Sequence, residues 1–85
     1  MHSLAIMQHN VKNDKLYFMI KNKLSIMMGI RRMNMAEVAR IGGLSHLTVF
    51  KIYHEKTKTI ELETINKLCY ALDCRIQDIF EYEPD

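Results

Sequence analysis

Asn34 to Tyr53 reads NMAEVARIGGLSHLTVFKIY, a stretch with two helix starts, the second eleven residues after the first. Asn34 is a cap residue, and Glu37 three positions on can return a bond to the cap's backbone amide, the reciprocal arrangement of a capping box. Val38 and Ile41 lie three apart and share a helix face, while Ala39 is small enough for another helix to come close. Gly42-Gly43 stops the helix, because glycine enters the left-handed conformation that closes a helix end without steric cost. Ser45 caps a second helix, in which Val49 and Ile52 point inward and His46, Leu47, Phe50 and Lys51 stay available on other faces. Two short helices joined by a glycine turn make a helix-turn-helix, and the second helix of that motif is shaped to enter a DNA major groove.

The rest of the chain extends this helical pattern. Asn22 is positioned to cap a first helix from about Lys23 to Arg32, with Leu24, Met27, Met28 and Arg31 at helical spacing. The methionines there are flexible apolar filler, and Arg31 is read as burying its stem. His54 to Thr59 (HEKTKT) is a polar loop without apolar period. Leu62, Ile65, Leu68, Cys69 and Leu72 then follow an amphipathic helix that starts near Glu61, whose first turn carries Glu61 and Glu63. Asp73-Cys74 breaks it, and Ile76, Ile79 and Phe80 mark a last short helix. Residues 1–16 show no sustained period and read as an extension; residues 17–85 form the domain.

Eighty-five residues hold one core, not a second domain around an enzyme cleft. Charge is unevenly spread. Residues 1–60 hold ten Lys or Arg against three acids, a net of +7, and residues 61–85 hold two against seven, a net of −5. A basic part coinciding with the helix-turn-helix suits a protein that turns one face to phosphates. The apolar run Leu4 to Met7 is too short for a signal peptide, and no stretch reaches the roughly 18 apolar residues of a membrane span. A cytoplasmic protein without membrane attachment is expected. Cys69 and Cys74 are five apart, and the histidines (His2, His9, His46, His54) form no pairs with them, so reduced structural thiols are expected and no metal site. A Gly-rich phosphate loop, a nucleophile elbow and a triad are all missing, so no enzyme, cofactor or small-molecule substrate is expected.

Val38-Ala39, then Gly43-Leu44-Ser45, Thr48-Val49 and Ile52 resemble the Cro and lambda-repressor family of helix-turn-helix regulators. The likeness runs from about Ile20 to Tyr82, and within the family it points to the very small single-domain type that includes the cytolysin repressor. It implies an all-α, five-helix lambda-repressor-like domain. In that type a strand before the first helix pairs antiparallel with one at the C-terminus, here Tyr17 to Lys21 and Phe80 to Glu83. It further implies a transcriptional regulator, by expectation a repressor, that binds double-stranded DNA as a homodimer on a palindromic operator.

Residues at the exposed start of the second motif helix reach base edges, which makes His46, Leu47, Phe50 and Lys51 the candidates. Many relatives carry Gln, Arg or Ser where His46 and Leu47 stand. Lys51 and His46 can donate to purine acceptors, whereas Leu47 and Phe50 offer only apolar contact, for instance to a thymine methyl. Competing structural readings stand beside these: His46 finishing the helix start, Phe50 packing on the domain or a partner, Lys51 merely solvated. Phosphate candidates are Asn34 and Met35 at the first helix start of the motif, Ser45 and Thr48 at the second, and Arg40, Lys56 and Lys58 on the flanks. One such motif reads too few base pairs to find a site, so a dimer is expected, with Ile79, Phe80 and Tyr82 as its contacts. The rival reading is an antitoxin, or a phage or plasmid regulator, acting mainly through protein–protein interaction.

Overall fold

The computed structural model describes residues 19–84. Its order is β1 (Ile20–Asn22), α1 (Leu24–Arg31), α2 (Met35–Gly42), α3 (His46–Tyr53), α4 (Leu62–Leu72), α5 (Ile76–Ile79) and β2 (Phe80–Tyr82). Five helices and one small antiparallel sheet agree with the expected all-α architecture. Leu24, Val38, Val49, Leu68, Leu72 and Ile79 are its largest fully buried side chains, one or two from each helix.

Asn22 starts α1 as expected, but from one position further out. Its Oδ1 accepts the Leu24 N–H at 3.0 Å, while its Nδ2 donates to the Ile52 carbonyl at 2.9 Å and so ties the start of α1 to the end of α3. Leu24, Met27 and Met28 are buried beneath α1. Arg31, expected to bury its stem, is exposed, and its guanidinium does the work. Its Nε donates to the Leu72 carbonyl at 2.7 Å and its Nη2 to the Asp73 carbonyl at 2.9 Å, which satisfies carbonyls that the end of α4 leaves without partners.

The two glycines after Ile41 have different jobs. Gly43 is the left-handed C-cap, at φ 69°. Gly42 instead lies where α2 meets α4: a Cβ there would sit 3.0 Å from the Lys67 carbonyl oxygen. Three other helix ends take the left-handed turn without glycine, at Arg32, Glu55 and Asp73. After α4, Asp73 N–H donates to the Tyr70 carbonyl and Cys74 N–H to the Cys69 carbonyl at 3.1 Å. This is the Schellman closure, in which the residue after the turn packs back on the helix. Cys74 and Cys69 occupy those two places, and both thiols are free. Burial pushes the Cys74 thiol up to about 11, with Cys69 and Asp78 adding to the effect. Burial likewise raises Cys69.

The strands pair Ile20 with Tyr82, Lys21 with Glu81 and Asn22 with Phe80. Lys21 reaches Glu83 at 3.1 Å and Lys23 reaches Glu81 at 3.0 Å across the ladder. The bond from Lys23 holds the Glu81 carboxyl below its ordinary value. β1 begins later than expected, and Tyr17 and Phe18, with the whole of the 1–16 extension, lie outside the described residues.

Three expectations are corrected. Leu62 is 81% exposed, because α4 turns Leu68, Ala71 and Leu72 inward. At 100° per residue Leu62 lies about 120° round from Leu68. Ile41 is exposed for the same reason, since the inward face of α2 is centred on Val38, Ala39 and Gly42. Ile79, expected at a dimer contact, is fully buried in the core and its side chain has no outer surface to offer.

Candidate nucleic-acid interface

The local chemistry of α2 and α3 builds a rigid scaffold. At the start of α2, Asn34 Oδ1 accepts the Glu37 N–H at 2.8 Å and Glu37 Oε1 accepts the Asn34 N–H at 2.9 Å. The capping box therefore occupies the Asn34 amide. The next two amides, of Met35 and Ala36, are those a helix start leaves without an intrahelical acceptor. Met35 itself is half-buried against the core. At the start of α3, Ser45 Oγ accepts the Thr48 N–H at 3.0 Å, and the two hydroxyls pair at 2.7 Å. Thr48 thus has its hydroxyl engaged with the cap, half-buried, while Ser45 is exposed.

Val49 and Ile52 anchor α3 from beneath. His46, Leu47, Phe50 and Lys51 are all exposed on the other side, Leu47 by 60% and Phe50 by 38%. No acidic residue lies on α3. His54, assigned from sequence to the following loop, caps the C-terminal end of α3 and continues the same face: its ring lies 4.4 Å from that of Phe50 and 4.9 Å from that of Tyr53. The spacing of Phe50 and His54, four apart, was the signal for this pair.

Arg40 is exposed in the last turn of α2. Lys56 and Lys58 are exposed on the loop between α3 and α4, which walls two hollows. The smaller, about 240 Å³, lies beside α3 and is lined by Thr48, Lys51, Thr57, Thr59 and Thr64, with Glu61 at its edge. Thr57 and Thr59 drew no attention in the sequence because hydroxyls in a polar loop have no periodic signature, and Thr64 falls between the apolar positions of α4. The larger, about 510 Å³, is an apolar groove lined by Ile20, Ile60, Ile65, Ile76 and Phe80, with Lys56 and Lys58 on its rim. Tyr82 stands exposed on the sheet beside Ile20, its hydroxyl donating to Met19 Sδ at 3.8 Å. The expected dimer residues therefore divide: Phe80 and Tyr82 reach the surface, whereas Ile79 does not.

Among the described residues no three His, Cys, Asp or Glu side chains gather to hold a metal ion, and no helix is long and apolar enough to cross a membrane.

The model of the Cro/C1-type HTH DNA-binding domain matches residues 23–85. The chain is also 31% identical over 62 residues to the uncharacterized HTH-type transcriptional regulator YozG of Bacillus subtilis (strain 168), covering 73% of this chain and 74% of that protein.

Proposed function

Because the chain belongs to the Cro/C1-type helix-turn-helix DNA-binding domain family, it is a DNA-binding transcriptional regulator and not an enzyme, and we propose that it is a repressor acting as a homodimer on a palindromic operator. The observation that carries this reading is the outward face of α3. His46, Leu47, Phe50 and Lys51 are uncovered by the rest of the described chain, on a helix without acids. In the proposed complex these four meet base edges. The amides of Met35 and Ala36 beside the Asn34 cap, Ser45 at the start of α3, and the cations Arg40, Lys56 and Lys58 meet phosphates, which fix register and supply most of the affinity. Thr48 contributes through the Ser45 hydroxyl that it positions.

Dimerisation is proposed at the surface around the apolar groove, where Ile20 and Tyr82 stand exposed as cross-strand partners and Phe80 and Ile76 line the wall. That groove equally favours a polypeptide partner, which keeps the antitoxin or phage-regulator reading as the alternative. Selection from random duplex DNA tests the proposal. The expected product is an inverted repeat with half-sites about one helical turn, about 34 Å, apart. A dimer neutralising about six phosphates gives a salt slope near −5. His46→Ala with Lys51→Ala lowers DNA affinity and leaves the sedimentation behaviour unchanged. Failure to enrich any sequence at low ionic strength refutes the reading, and a monomer at tens of micromolar, with and without DNA, removes the dimer.

A further inference from the structure

We propose that α3 reads the 5-methyl groups of thymine, through Leu47 and Phe50 as a paired apolar probe. The inference rests on the DNA-binding reading above and goes further, to the chemistry by which the operator is told apart. Leu47 and Phe50 are three apart and so stand side by side on the outward face. Neither is needed to close the core, since Val49 and Ile52 already do so from the opposite side of the helix. Their exposure leaves apolar surface in water on the one helix shaped to enter a groove. The His54 ring packs against Phe50 with its centroid 4.4 Å away, which extends the flat apolar surface along the same face.

Electrostatics select the occupant. α3 carries His46 and Lys51 but no acid, with Arg40 and Lys56 exposed nearby, a setting that draws a polyanion to the same surface. Within the major groove every base edge presents a donor or an acceptor, and only thymine adds a methyl group. An apolar side chain pressed against a guanine or cytosine edge strips water from polar atoms and returns no hydrogen bond, which is costly. Against a thymine methyl the same side chain buries apolar surface on both partners. Leu47 and Phe50 therefore act as specificity determinants for thymine steps, flanking the purine contacts of His46 and Lys51.

The test uses the full chain and a duplex recovered by selection from a random pool. Each thymine in turn is replaced by deoxyuridine, which removes the methyl and nothing else. Burying one methyl less weakens binding by about fourfold for each contacted thymine. The same scan is repeated with Leu47→Ala and with Phe50→Ala, both on exposed positions and both checked by circular dichroism. Titrations run at low ionic strength, where phosphate contacts keep the variants on the duplex. The expected result is one or two thymines per half-site whose deoxyuridine penalty disappears in one variant. Deoxyuridine that is neutral at every position overturns the proposal, and so does a penalty of equal size in the unchanged protein and both variants; in either case DNA binding itself still stands. If no duplex is enriched at all, the DNA-binding reading fails first and the methyl readout falls with it.

Discussion

Two glycines in neighbouring helices respond oppositely to the same added methyl. Gly29 lies inside α1 with nothing within 4 Å of where a Cβ would stand. Alanine there removes the entropy penalty of a mid-helix glycine and stabilises by about 0.5–1 kcal/mol. Gly42 gains the same local term, but its Cβ would meet the Lys67 carbonyl oxygen at 3.0 Å, Ala71 Cβ at 3.4 Å and Leu44 Cδ1 at 3.5 Å. The first of these is backbone in the middle of α4 and cannot swing aside, so α2 must move away from α4. Overpacking of this kind costs about 1–3 kcal/mol, and a rigid neighbour puts it in the upper half. Gly42→Ala should therefore destabilise by about 1–2 kcal/mol net. The two variants then differ by about 2 kcal/mol, which for a domain of this size separates their thermal midpoints by about 10 °C. Thermal and urea unfolding followed by circular dichroism measure both. A Gly42→Ala protein as stable as the Gly29→Ala protein would show that the α2–α4 contact yields freely and that the close-approach argument is wrong.

Three further outcomes follow from the structure. Glu55 holds a left-handed backbone at φ 55° while Lys56 N–H closes on the Lys51 carbonyl at 2.8 Å, so Glu55→Gly should stabilise by about 1 kcal/mol in urea unfolding, and a destabilised variant would refute the strain. Cys74, lifted from 9.0 to about 11, stays a neutral thiol at pH 8, so iodoacetamide should modify the native protein far more slowly than the urea-unfolded chain. A raised folded-state value also means that its contribution is intact below pH 9 and fades as pH climbs through 11. Unfolding titrations over that window should fall less steeply for Cys74→Ala than for the parent.

The two Asn34–Glu37 bonds, the Ser45 cap, the left-handed Gly43 and the exposure of His46, Leu47, Phe50 and Lys51 were all legible from the sequence. Each is closed within three or four residues, where side-chain chemistry and the helical period act alone. The helix-turn-helix is local in this sense, and that is why the family resemblance and the candidate interface could be read from the chain. What the tertiary structure alone decided concerns partners far away along the chain. It placed Gly42 against Lys67, set Leu62 in water and Ile79 in the core, aimed Arg31 at the open end of α4, and joined Ile20 to Tyr82. Periodicity says that a helix has an apolar stripe; only packing against other helices fixes which side chains form its centre and which are left at its margin.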